Sequence, residues 1–211
     1  MHRQHNIYVT QQDYLDQERQ AETKSEYWNG EIYAMAGASP RHTLIAANII
    51  ISLGSRLKGR PCTVHTGDLR VSIAQTGLHT YPDVVIVCGQ PVYEDRQKDT
   101  LLNPAIVVEV LSKSTESHDR GVKFEHYRRL ESLTDYLLVS QDTACIEHRV
   151  RQPDDKWLLG IYQGLDTVVP LSSIDCELPL AEAYDKVEWP DEDAARGWLR
   201  FVKEPSEAYA A

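Results

Sequence analysis

Nothing in the sequence approaches the roughly 20 consecutive apolar residues that a helix needs to cross a bilayer. The first residues, Met1 to Tyr8, are polar and lack the apolar core of a signal peptide. These absences lead us to expect a soluble cytoplasmic protein with no membrane partner. No internal repeat or low-complexity tract is present, which excludes a solenoid. The four cysteines, Cys62, Cys88, Cys145 and Cys176, are never two to four residues apart. A zinc knuckle or a CxxC redox motif is therefore excluded, and buried free thiols are expected. Positive charge is also short: 22 Lys and Arg face 32 Asp and Glu, a formal net charge of -10. That balance argues against a nonspecific nucleic-acid binder. The deficit is local, however. Eight acids and one base, Lys186, lie between Asp175 and Asp193, and the rest of the chain nets only -3. Such a body can still meet a phosphate backbone where bases cluster or where metal ions add charge. Arg56, Lys58 and Arg60 form one small basic cluster, which reads first as a solvated helix end.

What is present is an ordinary globular chain. With 211 residues, 42% hydrophobic and 26% charged, it can build one domain with a full core. Thr10 caps a short helix running to Arg19. Asn29-Gly30 joins two aromatic and β-branched runs, Ser25 to Trp28 and Glu31 to Met35, as a hairpin. Ser39-Pro40 starts a long helix whose Ile45, Ile49, Ile50, Leu53 and Leu57 recur at helical spacing. Gly59-Arg60-Pro61 ends it. Strands are expected at about 61–66, 69–74 and 82–88. The segment Ala105 to Leu111 is apolar except for Glu109 and reads as a central strand covered on both faces. A helix from Asp119 to about Leu130 follows, then strands near 135–140, 144–150 and 157–162. The order points to an α/β fold, a mixed central sheet with helices on each side and an N-terminal β-hairpin. A peripheral helix is expected in the tail after Trp189.

Glu109 is the most informative residue. A carboxylate inside a buried strand needs a cation, a donor or a proton, because desolvating a bare charge is costly. A salt bridge to a core Arg or Lys would satisfy it equally well. Asp83 shifts that balance. It follows Pro82 and opens a second apolar strand, Val84-Val85-Ile86-Val87. Taken alone it would close a turn. Two buried strands with one acid each can set both carboxylates side by side, where they repel. A hard divalent cation such as magnesium removes the conflict, and it favours one or two carboxylates plus waters and phosphates.

These residues carry a resemblance. Glu26-Tyr27-Trp28-Asn29-Gly30-Glu31, Tyr81-Pro82-Asp83-Val84-Val85-Ile86-Val87 and Asn103 to Ser112 resemble the "putative restriction endonuclease" family of the PD-(D/E)xK nuclease superfamily. Asp119 to Leu130 and Tyr136-Leu137-Leu138-Val139 also match, and the likeness runs from about Tyr14 to Tyr184. It implies a restriction-endonuclease-like fold over residues 1–188, with 189–211 as an acidic C-terminal extension. It also implies metal-dependent hydrolysis of phosphodiester bonds, with DNA as substrate and Mg2+ as cofactor, Mn2+ being a possible substitute. By position, Asp83 is the motif's Asp and Glu109 its second acid, together the metal ligands. Leu111 stands where the motif's lysine is expected. The lysine of this family falls on the following helix, at Lys123. Glu26 and His42 match auxiliary positions.

The residues can also be read without the family. On a helix starting at Asp119, Val122, Lys123, His126, Tyr127 and Leu130 fall on one arc. Lys123 is thus either a snorkelling lysine or a charge aimed at the carboxylate pair, and Tyr127 is an auxiliary residue on the same arc. Lys113 is the competing lysine, four residues after Glu109 but in a polar, turn-like run. Glu26 alone would be an exposed cross-strand partner, and His42 a capping or packing residue. Two functions stay open: a magnesium-dependent endodeoxyribonuclease, and a non-catalytic nuclease-fold protein acting in binding or assembly. A homodimer is expected, because cutting both strands of a duplex needs two sites and C2 dimers are the commonest oligomers. Tyr27 and Trp28 are its candidate contacts.

Overall fold

The structure, a computed structural model, describes residues 8–113 and 115–189. The expected tail helix lies outside these residues. Thirteen strands are described, numbered here in chain order. The central sheet has six: β3 (Cys62–Thr66), β6 (Val84–Cys88), β8 (Ile106–Val110), β9 (Asp135–Val139), β10 (Cys145–Arg151) and β11 (Trp157–Gln163). Their spatial order is β11-β10-β9-β8-β6-β3, antiparallel except for β8 beside β9. The sheet is therefore mixed, and it is flanked by helices as the sequence predicts. A second sheet has the order β2-β1-β5-β4-β7. It contains the hairpin β1 (Ser25–Trp28) and β2 (Glu31–Ala34), then β4 (Arg70–Ile73), β5 (Leu78–Thr80) and β7 (Thr100–Leu101). Asn29 and Gly30 both have positive φ, 52° and 87°, as a tight hairpin turn of matching twist requires.

The apolar runs of β6 and β8 are explained by cover on both faces. Val84, Ile86, Val108 and Val110 pack under helix α2 (Pro40–Arg56), against Ile45, Ile49 and Leu53. Val85, Val87 and Val107 face the other way, toward Phe124, Tyr127 and Leu130. Alternation therefore puts Glu109 on the second face, with Val107. The α2 start is set by Ser39, whose Oγ accepts the His42 N–H at 3.1 Å, and by Pro40 in the first turn. A short helix, α1 (Gln11–Glu18), is capped by Thr10 as expected.

Four expectations are corrected. Cys62 and Cys88 are disulfide-bonded, not free thiols. Antiparallel pairing of β3 with β6 sets them directly opposite, with Cα atoms 4.0 Å apart, although 26 positions separate them in the chain. Cys145 is buried and free, and Cys176 is free and half-buried. Tyr27 is buried rather than exposed, its ring stacked on Tyr14 at 4.9 Å. Helix α3 spans 116–127 and contains a π-helical turn, Asp119–Lys123, between short α-helical pieces. That wider turn swings Val122 out to solvent while Lys123, His126 and Tyr127 stay buried. Finally, Arg56 and Arg60 are not free for phosphates. Arg56 grips Glu182 at 2.5 and 2.6 Å, and Arg60 donates to the Ile174 and Asp175 carbonyls. They clamp a C-terminal unit that the sequence reading missed: β12 (Val168–Leu171), β13 (Cys176–Pro179) and helix α4 (Leu180–Ala183). Much of the acidic stretch is thus folded onto α2.

Candidate active site

Asp83 stands just ahead of β6, and β6 pairs with β8 in the register Val84↔Val108. One step further, this register sets Asp83 opposite Glu109 at one end of these two central strands. Asp83 Oδ2 accepts the Val110 N–H at 2.7 Å, and Oδ1 lies 2.7 Å from His42 Nε2. His42 is brought there by the capped first turn of α2. Gln141, just past the end of β9, completes this wall. Its Nε2 donates to the Leu111 carbonyl at 2.7 Å, and its Oε1 accepts from Ser39 Oγ at 2.6 Å. The same Nε2 lies 3.4 Å from His42 Nδ1.

Glu109 is only 4% exposed. Its Oε1 accepts from Tyr127 Oη at 3.0 Å and meets Lys123 Nζ at 3.1 Å. Lys123 also reaches Glu26 Oε1 at 2.9 Å and Asp119 Oδ1 at 3.7 Å. Glu26 is therefore an inward residue, held further by Thr80 Oγ1, and not an exposed cross-strand partner. The structure brings all six sequence candidates, Glu26, Asp83, Glu109, Lys123, His42 and Tyr127, into one contiguous cluster. It adds Asp119, Thr80 and Gln141. Asp119 could have been found from its spacing, four residues before Lys123 on a helix. Gln141 could have been found from its place after the strand parallel to the Glu109 strand. Thr80 left no signal, because β5 was not recognised.

Three carboxylates, Glu26, Glu109 and Asp119, surround one ammonium. Burial pushes the Glu109 carboxyl up to about 8, outweighing Lys123, with Asp119, Asp83 and Glu26 adding to the rise. Burial likewise raises Asp119. For Lys123, burial acts to lower the pKa, but Glu109, Glu26 and Asp119 outweigh it and hold the ammonium above the ordinary lysine range. The cluster opens on a cavity of about 490 Å³ whose wall includes Asp83, Glu109 and Lys123, with Arg41 and Lys113 as further basic residues. Lys113 is exposed there, on the segment after β8.

Among the described residues, no group of three or more His, Cys, Asp or Glu is disposed to hold a metal ion by itself. Glu26 and Asp119 are both turned to Lys123. What faces the cavity is the Asp83 and Glu109 pair beside an excess of negative charge. That donor set fits a hard cation which takes one or two carboxylates and completes its shell with water and phosphate.

Comparison with known proteins bears on the fold and the family. Two uncharacterised proteins of Synechocystis are similar to the chain. One is 37% identical over 159 residues, 75% of this chain and 82% of that protein. The other is 34% identical over 164 residues, 78% of this chain and 93% of that protein. Among solved structures, the crystal structure of a putative nuclease of the DUF820 group from Anabaena variabilis superimposes with a TM-score of 0.70. It covers 85% of this chain and 99% of that one, and at 18% identity it speaks for the fold. No described helix is long and apolar enough to cross a membrane. Residues 11–181 match the Uma2 family, described as "putative restriction endonuclease", and the chain belongs to that family.

Proposed function

We propose that this protein is a metal-dependent endonuclease that hydrolyses phosphodiester bonds of DNA. One observation carries the reading: a buried lysine ammonium touches Glu109, and Asp83 lies across the strand pair, at the wall of an open cavity. Asp83 and Glu109 would hold magnesium, or manganese in its place. The bound cation supplies Lewis-acid polarisation of the phosphoryl oxygens. Lys123 aims its ammonium at the charge that develops on the phosphate oxygens in the transition state. Glu26 and Asp119 keep that ammonium charged and in place. Tyr127 orients Glu109, and the Val110 N–H with His42 orients Asp83.

The competing reading is a non-catalytic nuclease-fold binding module. It draws on Leu111, a buried apolar side chain where the superfamily motif has its lysine. The deciding experiment incubates supercoiled plasmid and circular single-stranded DNA with the protein in magnesium, in manganese and in EDTA. Circular substrates report internal cuts only. Cutting of either circle that EDTA stops and Lys123→Ala loses supports the enzyme. Intact circles in both metals refute it and leave the binding module.

A further inference from the structure

One face of the β1–β2 hairpin is committed to the catalytic cluster. The register pairs Glu26 with Tyr33 and Trp28 with Glu31, and directly opposed residues of an antiparallel pair share a face. Glu26, the partner of Lys123, therefore shares its face with Trp28, Glu31 and Tyr33. Alternation continues to Met35, whose N–H bonds the Lys24 carbonyl at 3.2 Å. On the opposite face Tyr27 is buried against Tyr14. On the Glu26 face three large side chains stay exposed: Trp28 at 38%, Tyr33 at 44% and Met35 at 37%. Trp28 is anchored by an edge contact with His126 at 5.1 Å, three residues past Lys123. The result is an aromatic ledge that begins at the catalytic lysine's own partner.

Charge decides what such a ledge accepts. Tyr33 Oη donates to Glu31 Oε2 at 2.7 Å, and Glu26 lies next to Tyr33 across the strand pair. A phosphate backbone laid here would meet two carboxylates. A nucleobase carries no charge and offers a flat π-face, which exposed aromatics stack regardless of base identity. The basic residues Arg41 and Lys113 belong to a different wall, formed by the α2 N-terminus and the segment after β8. A cation held by Asp83 and Glu109 would draw phosphates to the cavity and leave the ledge to bases. In continuous duplex every base face is covered by its neighbours, so the ledge has nothing to stack.

We propose that Tyr33, with Trp28 and Met35, stacks an unpaired nucleobase beside the scissile phosphate, so that the substrate is single-stranded DNA rather than continuous duplex. This rests on the endonuclease reading above and names its substrate class. The test uses a fluorescein-labelled 20-nucleotide single strand of mixed sequence and its blunt duplex. Binding is read by anisotropy in calcium, and cleavage is read separately in manganese. Wild type should bind the single strand at least about tenfold tighter than the duplex, as one stacked base contributes on the order of five- to a hundredfold. Tyr33→Ala should lose most of that preference with duplex binding unchanged, and Tyr33→Phe, which keeps the ring, should retain it. Equal binding of both DNAs by wild type, or a preference untouched in Tyr33→Ala, overturns the ledge. Cleavage separates the two levels: active protein with no strand preference refutes the ledge alone. A Tyr33-dependent preference without any cleavage refutes the enzyme and leaves the ledge standing.

Discussion

At the scale of single residues, the site rests on a few polar atoms whose partners are now known. Asp83→Ala and Glu109→Ala should each abolish metal-dependent cutting, because a site left with one carboxylate binds magnesium poorly. Their folds should respond differently. Asp83→Ala orphans the Val110 N–H and should lose about 1–3 kcal/mol of stability. Glu109→Ala removes a buried acid and leaves Lys123 still paired with Glu26 and Asp119. Denaturant melts alongside single-turnover cutting check both halves. The two lysines are separated by the same assay. Lys123→Ala should lose on the order of a hundredfold or more in rate, as expected for one charge-stabilising donor. Lys123→Arg should also be poor, since a planar guanidinium does not replace a compact ammonium. Exposed Lys113→Ala should stay near wild type, and the reverse pattern would move the chemistry to Lys113. Burial pushes the Glu109 carboxyl up to about 8, so it should hold its proton at neutral pH in the metal-free protein. A metal bound there would displace that proton. Apparent manganese affinity should therefore rise about tenfold per pH unit below 8 and level off above, with one proton released at neutral pH. Calorimetry in buffers of different ionisation enthalpy measures the release, and a flat pH profile would show Glu109 already ionised. The stability sign follows. The unfolded carboxyl loses its proton first, so metal-free stability falls as pH climbs from the usual carboxylate range toward 8.

At the scale of elements, two strands and one helix decide the site. The β6–β8 register sets Asp83 and Glu109 abreast, and the π-helical turn of α3 sets Lys123 between Glu26 and Glu109. The sequence arc predicted Lys123, His126 and Tyr127 inward but also Val122, because it assumed 3.6 residues per turn throughout. The i to i+5 turn breaks that periodicity locally. The Cys62–Cys88 bond staples β3 to β6 at the strand ends away from Asp83. With 26 positions between its ends, it constrains the unfolded chain by about 3.5 kcal/mol. Cys62→Ser with Cys88→Ser, or reduction of wild type, should lower Tm by several degrees without loss of cutting. The β3–β6 register rests on apolar neighbours such as Val64 opposite Ile86. Loss of activity on reduction would instead tie the staple to the site. The cytosol keeps such pairs reduced, so the expected cytoplasmic setting requires a β3–β6 pairing that survives reduction.

At the scale of the whole molecule, one outer surface stands apart from the candidate site. β11 ends the six-stranded sheet, and its Leu158, Leu159 and Ile161 are exposed. From Trp157 to Gln163 the strand carries no charge, and an uncharged apolar edge of this length invites pairing with another strand. We expect the homodimer to form there; of the two contacts suggested by sequence, Tyr27 is buried and Trp28 is left as an exposed side chain on the hairpin. Light scattering at micromolar concentration should give about twice the 24.0 kDa chain mass. Ile161→Lys should return it to one copy with cutting of single strands intact. A monomeric wild type would remove the dimer.

Local rules settled a large part of this protein. Capping at Thr10 and Ser39, the Asn29-Gly30 turn, helical periodicity along α2 and the apolar runs of β6 and β8 all act within a few residues, so they are legible in one chain. The two acids stood out for the same reason, being polar groups in otherwise apolar strands. Tertiary structure alone decided the rest. Cys62 meets Cys88 and Thr80 joins the site only because strands distant in sequence pair in one register, and Arg56 meets Glu182 only because α4 packs on α2. Nothing in the spacing of those residues encodes that meeting. Whether Glu26 and Tyr27 face solvent, lysine or core is likewise set by which neighbours the sheet brings to each face, and burial is a property of the assembled layers rather than of the residue.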